Sequence, residues 1–119
     1  MSVRRGLLTC FGSLTFFSVL ILCAHSTESG IAAIYSYKGS KTASGELAQP
    51  SALSAAHRTL PFGTKVRVTN RRNGRTVVVR INDRGPFTRG RVIDLTPAAA
   101  TQLGFSGLTP VSQDVIGKR

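Results

Sequence analysis

The run Lys65–Ile81, KVRVTNRRNGRTVVVRI, decides the fold class. Lys65–Asn70 alternates with period two, Val66 and Val68 on one face and Lys65, Arg67 and Thr69 on the other, which is the pattern of a half-buried strand. Arg71–Gly74 reads as a turn, because Asn73-Gly74 supplies residues that tolerate positive φ. Arg75–Ile81 returns as the partner strand, with Val77, Val79 and Ile81 on its inner face. The whole stretch is a β-hairpin with one apolar and one basic face.

Working outward toward the C-terminus, Asn82–Gly90 is a loop and Arg91–Leu95 a short strand. Thr96 at an N-cap, Pro97 at the first helical position, an Ala-rich body and Gly104 as terminator predict a short helix. Phe105–Pro110 is a loop and Val111–Ile116 a last strand. Toward the N-terminus, Pro61-Phe62-Gly63 is a turn, and Ala52–His57 is a small-residue segment that can form a strand. Lys38–Pro50 is a polar loop, and Ile31–Tyr37 reads as the first strand. Five or six short strands and one helix predict a mainly β fold, a small barrel.

The first 26 residues read as a secretory signal peptide: Arg4 and Arg5, an apolar run from Gly6 to Ala24, then a polar stretch with a cleavage site after Ser26. An uncleaved anchor is the alternative, since the run approaches the ~20 residues a span needs. Thr9, Ser13, Thr15 and Ser18 weaken it as a span. Cys10 and Cys23 lie inside the signal, so cleavage leaves a chain without cysteine. Leu22 before Cys23 argues against lipidation there. The chain is thus expected to be exported to the periplasm or cell envelope, touching membrane only through an uncleaved signal or lipid anchor.

The 119 residues leave room for one domain, placed at residues 27–119. Net charge is +11; removing Arg4 and Arg5 leaves fourteen basic residues against five acidic ones, a net +9. Such an imbalance points to a polyanionic partner or an anionic surface. Nucleic acid is not expected, given the export signal and the few aromatics available for stacking.

Of five carboxylates, Glu28 reads as part of a frayed start, Asp114 lies near the end, and Asp94 reads as a structural residue that pairs with an Arg or caps the helix. Asp83 ends a buried strand and opens Asp83-Arg84-Gly85-Pro86; a carboxyl fixed there and partly withdrawn from water suits general acid catalysis. It could equally be a turn-former. Glu46 sits in a loop, and a solvated surface glutamate is its plainer reading. His57 alone, with scattered carboxylates, makes no zinc site; no metal and no cofactor are expected.

The blocks TASGE at Thr42–Glu46, LSAAHRTLPFGT at Leu53–Thr64, VRVTN at Val66–Asn70, VRINDRGPF at Val79–Phe87 and GRVIDLT at Gly90–Thr96 resemble, in this order and spacing, the double-psi β-barrel domain of the rare lipoprotein A family. The resemblance covers about Ile31 to Ile116. It implies a six-stranded double-psi β-barrel. It implies an endolytic lytic transglycosylase acting on peptidoglycan glycan strands, preferably stem-free ones. The family's functional positions fall on Glu46, His57 and Asp83, with Arg58, Arg84, Asn82, Thr42, Ser44 and Gln49 as expected substrate contacts. Two departures stand out: Gln49 replaces the family's Asp three residues after the glutamate, and the loop Lys38–Lys41 is short.

In such an enzyme the muramoyl C6 hydroxyl attacks C1, so no water is needed and one carboxyl serves as acid and then base. Asp83 is expected in that role, with Glu46 stabilising oxocarbenium charge or sharing the proton role and His57 orienting a carboxylate or the substrate. Arg58, Arg67, Arg80, Arg84 and Arg89 would draw in anionic glycan, sensitively to salt. The alternatives are a non-catalytic, expansin-like wall-binding or wall-loosening module and an envelope domain recruited by a partner. A monomer is expected.

Overall fold

The computed structural model describes residues 27–36 and 38–118; the expected signal peptide, with both cysteines, lies outside the described residues. The strands are β1 (Thr27–Ile34), β2 (Ser54–Ala56), β3 (Lys65–Asn70), β4 (Thr76–Asp83), β5 (Arg91–Leu95) and β6 (Thr109–Gly117), with the helix α1 (Pro97–Leu103) between β5 and β6. They close into a barrel in the order β1-β5-β2-β4-β3-β6. β1 runs parallel to β5 and β2 parallel to β4, while the remaining four neighbours are antiparallel.

The alternating valines fill the interior as the sequence predicts. Val66, Val68, Val79 and Ile81 are buried from β3 and β4, and Ile93, Leu95 and Val111 join them from β5 and β6. Stacking these faces removes apolar area worth roughly 1.5–3 kcal/mol for each fully buried Val, Leu or Ile. Closure pairs every strand on both sides, which leaves no sheet edge to protect.

The helix forms where its caps predict. Thr96 Oγ1 accepts the Ala99 N–H at 3.4 Å and donates to the Ala52 carbonyl at 2.6 Å. Gly104 ends the helix at φ 77°, its N–H reaching back to the Ala100 carbonyl. The helix end is then tied to the β3–β4 turn: the Leu103 carbonyl accepts from both Asn70 Nδ2 and Asn73 Nδ2 at 3.0 Å. Asn70 is buried, and its Oδ1 accepts from Thr109 Oγ1 and the Arg72 N–H, so its side chain joins three elements.

Several boundaries differ from expectation; β1 ends at Ile34 and β2 shrinks to Ser54–Ala56. β1 begins at Thr27 instead of Ile31, and its polar first half pairs residue for residue with β6, Thr27 opposite Asp114. β4 runs on to Asp83, because Ala56 of β2 and the loop 42–44 both bond to its last residues. β6 starts at Thr109, two residues early, and accommodates Pro110 within the strand.

Candidate functional site

The last four residues of β4, Arg80–Asp83, organise the site. Ile81 points into the core, so Arg80 and Asn82 leave the opposite face. The tight loop Thr42–Glu46 lies across that face. It is closed on itself by Thr42 N–H to the Glu46 carbonyl at 2.7 Å, Gly45 N–H to the Thr42 carbonyl at 2.9 Å and Glu46 N–H to Ser44 Oγ at 3.3 Å. Gly45, at φ 94°, permits the reversal. The loop docks on β4 through Ser44 N–H to the Asn82 carbonyl at 3.2 Å and Ala43 N–H to Asp83 Oδ1 at 2.9 Å.

This docking delivers Glu46 to the cation and amide below it. Glu46 Oε1 accepts from Arg80 at 2.6 Å and from Asn82 Nδ2 at 3.2 Å. The Arg80 hydrogen bond, then that of Asn82, hold the Glu46 carboxyl below its ordinary 4.5. Glu46 is therefore an anion at neutral pH. It lines a depression of about 400 Å³ with Gln49, Leu53, Ser54, Arg80 and Asn82. Asn82 is buried, and its Oδ1 has no partner among the described residues.

Asp83 lies on the other side of the loop. Its Oδ1 accepts from the Ala43 and Arg84 N–H groups at 2.9 and 2.8 Å, and Oδ2 makes no hydrogen bond among the described residues. It lines a second depression of about 430 Å³ with Tyr35, Arg84, Phe87, Arg91 and Asp94. Phe87 is 79 % exposed at its lip. Asp94 pairs with Arg91 at 2.6 Å, the structural pairing expected of it.

His57 is turned away from both. Its Nδ1 accepts the Thr59 and Leu60 N–H groups, each at 3.1 Å, which leaves the proton on Nε2, 3.0 Å from Glu28 Oε1. Gln113 Nε2 donates to the same oxygen at 2.8 Å. Glu28 is thus no frayed residue but a strand residue holding a buried histidine. The link from His57 to Asp83 runs through the backbone: His57 N–H donates to the Asp83 carbonyl at 3.1 Å. Arg84, next to Asp83, donates to the His57 and Leu60 carbonyls at 3.1 and 2.7 Å and stacks on Phe62 at 4.1 Å.

The structure therefore brings Thr42, Ser44, Glu46 and Asn82 together, sets Gln49 beside them, and seats Asp83 on the same loop. Arg84 is occupied in the scaffold, and Arg58 lies 3.9 Å from Glu28 Oε2, exposed, on the His57 side. Sequence reasoning missed Arg80 as the partner of Glu46 and Glu28 as the partner of His57. The alternation that turns Arg80 and Asn82 to one face was a usable signal for the first. Among the described residues, no three His, Cys, Asp or Glu side chains converge as metal ligands would.

The "Lytic transglycolase" family model matches residues 27–113. The chain belongs to this family. Within the lytic transglycolase family it is 61 % identical over 95 residues to the "Probable endolytic peptidoglycan transglycosylase RlpA" of Nostoc sp., covering 75 % of this chain and 26 % of that protein. It is 53 % identical over 92 residues to the "Endolytic peptidoglycan transglycosylase RlpA" of Yersinia pestis, covering 76 % of this chain and 26 % of that protein. The chain thus spans about a quarter of the length of these curated relatives. Among solved structures, the Streptomyces papain inhibitor superposes with TM-score 0.64 at 26 % identity over 77 % of this chain and 96 % of that one. The apo form of the Clavibacter michiganensis expansin superposes with TM-score 0.63 at 25 % identity, over 79 % of this chain and 52 % of that one. The lytic transglycolase barrel is the six-stranded closed barrel expected from the sequence.

Proposed function

We propose that this barrel is an endolytic peptidoglycan transglycosylase, cleaving between N-acetylmuramic acid and N-acetylglucosamine on stem-free strands and leaving 1,6-anhydromuramoyl ends. It acts as a monomer, outside the cytoplasm, after export. The observation that carries this is the seating of Asp83. Two backbone N–H groups fix one of its oxygens, the other makes no hydrogen bond among the described residues, and the residue lines an aromatic-edged depression at the end of a buried strand.

The chemistry needs one such group. Asp83 Oδ2 delivers a proton to the glycosidic oxygen as the C1–O bond breaks. The muramoyl C6 hydroxyl forms the new bond to C1, and its proton returns to Asp83, restoring the acid. The hydrogen bonds from Arg80 and Asn82 favour the ionised form of Glu46, which suits it less to the proton-donor role. It holds Arg80 and Asn82 in the neighbouring depression, across the loop from Asp83. His57, with both nitrogens engaged, acts as a positioning residue: it fixes the 57–60 turn whose carbonyls hold Arg84, and Arg84 in turn borders Asp83.

The test is a digest of amidase-stripped peptidoglycan with the full chain, read by mass spectrometry. Anhydro-ended fragments that vanish in Asp83→Asn are the expected result; reducing ends would replace this mechanism with hydrolysis by water. The likeness to an expansin supports a second reading, a module that binds the wall without cutting it. Pelleting with sacculi and no fragments from either intact or stripped material would favour that reading.

A further inference from the structure

On the far side of Glu46 from its 400 Å³ depression, a second groove runs between the loop carrying Ser44 and Glu46 and the turn Phe62–Lys65. Its volume is about 590 Å³, within the range that takes a small ligand. Two cations line it. Lys65 and Arg80 are register partners in the antiparallel β3–β4 pair, so their side chains leave the same face of the barrel side by side. Like charges so placed are destabilising, and one acid answers them: Glu46 pairs with Arg80. Lys65 makes no ion pair among the described residues, and its neighbour across β6 is Gly117, which interposes no side chain. The groove therefore keeps an uncompensated positive charge beside an aromatic ring, Phe62, and a hydroxyl, that of Ser44.

We propose that this groove is a subsite for an acidic sugar whose carboxylate is held by Lys65 and Arg80. The inference rests on the reading of the ligand as peptidoglycan glycan. In that polymer the muramoyl lactyl group is a free carboxylate when the stem peptide is gone and a neutral amide when it is present. Lys65 and Arg80 then distinguish the two forms by charge, before any bond is broken.

The experiment measures binding of the full chain to amidase-stripped, solubilised glycan strands and to the same strands after their carboxyls are converted to methylamides. Amide capping is expected to weaken binding by about three- to fivefold, the size of a solvent-exposed ion pair. Lys65→Gln should bind the two forms nearly alike, and Lys65→Arg should restore the difference. Arg72→Gln removes the same charge in the turn beyond the far end of β3, a strand whose length at strand rise is about 16 Å, and should keep the full difference. Equal binding of both forms by the unaltered chain overturns the proposal, as does binding of neither. So does an equal loss in Arg72→Gln, which would mean diffuse attraction to a basic surface. Cleavage is read separately. Carboxylate-dependent binding without anhydro ends removes the catalytic reading and leaves the subsite standing; cleavage with indifferent binding does the reverse.

Discussion

Both ring nitrogens of His57 are engaged, and the side chain is almost completely enclosed at 7 % exposure. His57→Ala would leave the Thr59 and Leu60 N–H groups without their acceptor, and a lost bond of this kind costs about 1–3 kcal/mol. Urea unfolding should register that loss even if substrate is absent. Asp83→Asn, which retains an oxygen for the Ala43 and Arg84 N–H groups, should melt close to the unaltered protein while abolishing anhydro products. The pair tests the positioning role proposed for His57 against the catalytic role proposed for Asp83. Of these groups, Asp83, Glu46 and His57 were singled out through the resemblance of their motifs. Glu28 was not: its bonds to His57 and Gln113 span 29 and 85 positions, and nothing in the local pattern TESG marks a buried partner.

The Glu46–Arg80 pair gives a pH dependence whose sign is fixed. The carboxyl is lowered in the folded protein, so its contribution is present above its ordinary 4.5 and is lost as pH falls through the lower folded value. Both side chains are over two-fifths exposed, so solvent screening limits the effect to about 0.5 kcal/mol. The difference in unfolding midpoint between the unaltered chain and Glu46→Gln should therefore close as pH is lowered from about 5 to about 3.

At the scale of elements, the hairpin and the helix were readable because their determinants are local. Alternating valines, a four-residue turn and paired caps all lie within a few residues of what they specify. Gly104 is the sharpest test. Its φ of 77° suits glycine, and an added Cβ would sit 2.7 Å from the Arg75 guanidinium. Gly104→Ala should lower stability by about 1–2 kcal/mol, measured as a reduced denaturant midpoint with unchanged slope. The start of β1 was misread for the opposite reason. Gly30 lies just outside the run Ile31–Tyr37 read as the strand, yet a Cβ there would collide with Val92 Cγ1 of β5. That requirement comes from the parallel β1–β5 approach, a contact more than sixty residues away in the chain.

For the whole molecule, closure and strand order follow from pairings between distant segments, so periodicity alone predicted a barrel without its path. Charge, by contrast, is a whole-molecule property plainly visible in the composition. With net charge +11, binding to anionic glycan should weaken steeply as ionic strength rises, since the Debye length shrinks from about 10 Å at 0.1 M to about 3 Å at 1 M. Cosedimentation across that salt range checks it. The part of the interaction owed to the Lys65–Arg80 groove should persist longest, because two cations there converge on one carboxylate.

The pairing of Thr27 with Asp114 has a further consequence. The first and last strands of the barrel lie side by side, so the polypeptide enters and leaves the fold at one pole. A unit built this way can be threaded into a longer polypeptide like a bead, with the flanking chain continuing almost where it broke off and no strand displaced. Relatives about four times as long can thus carry the same barrel without altering its interior, and what surrounds it can diversify while the Asp83 and Glu46 seats stay as they are.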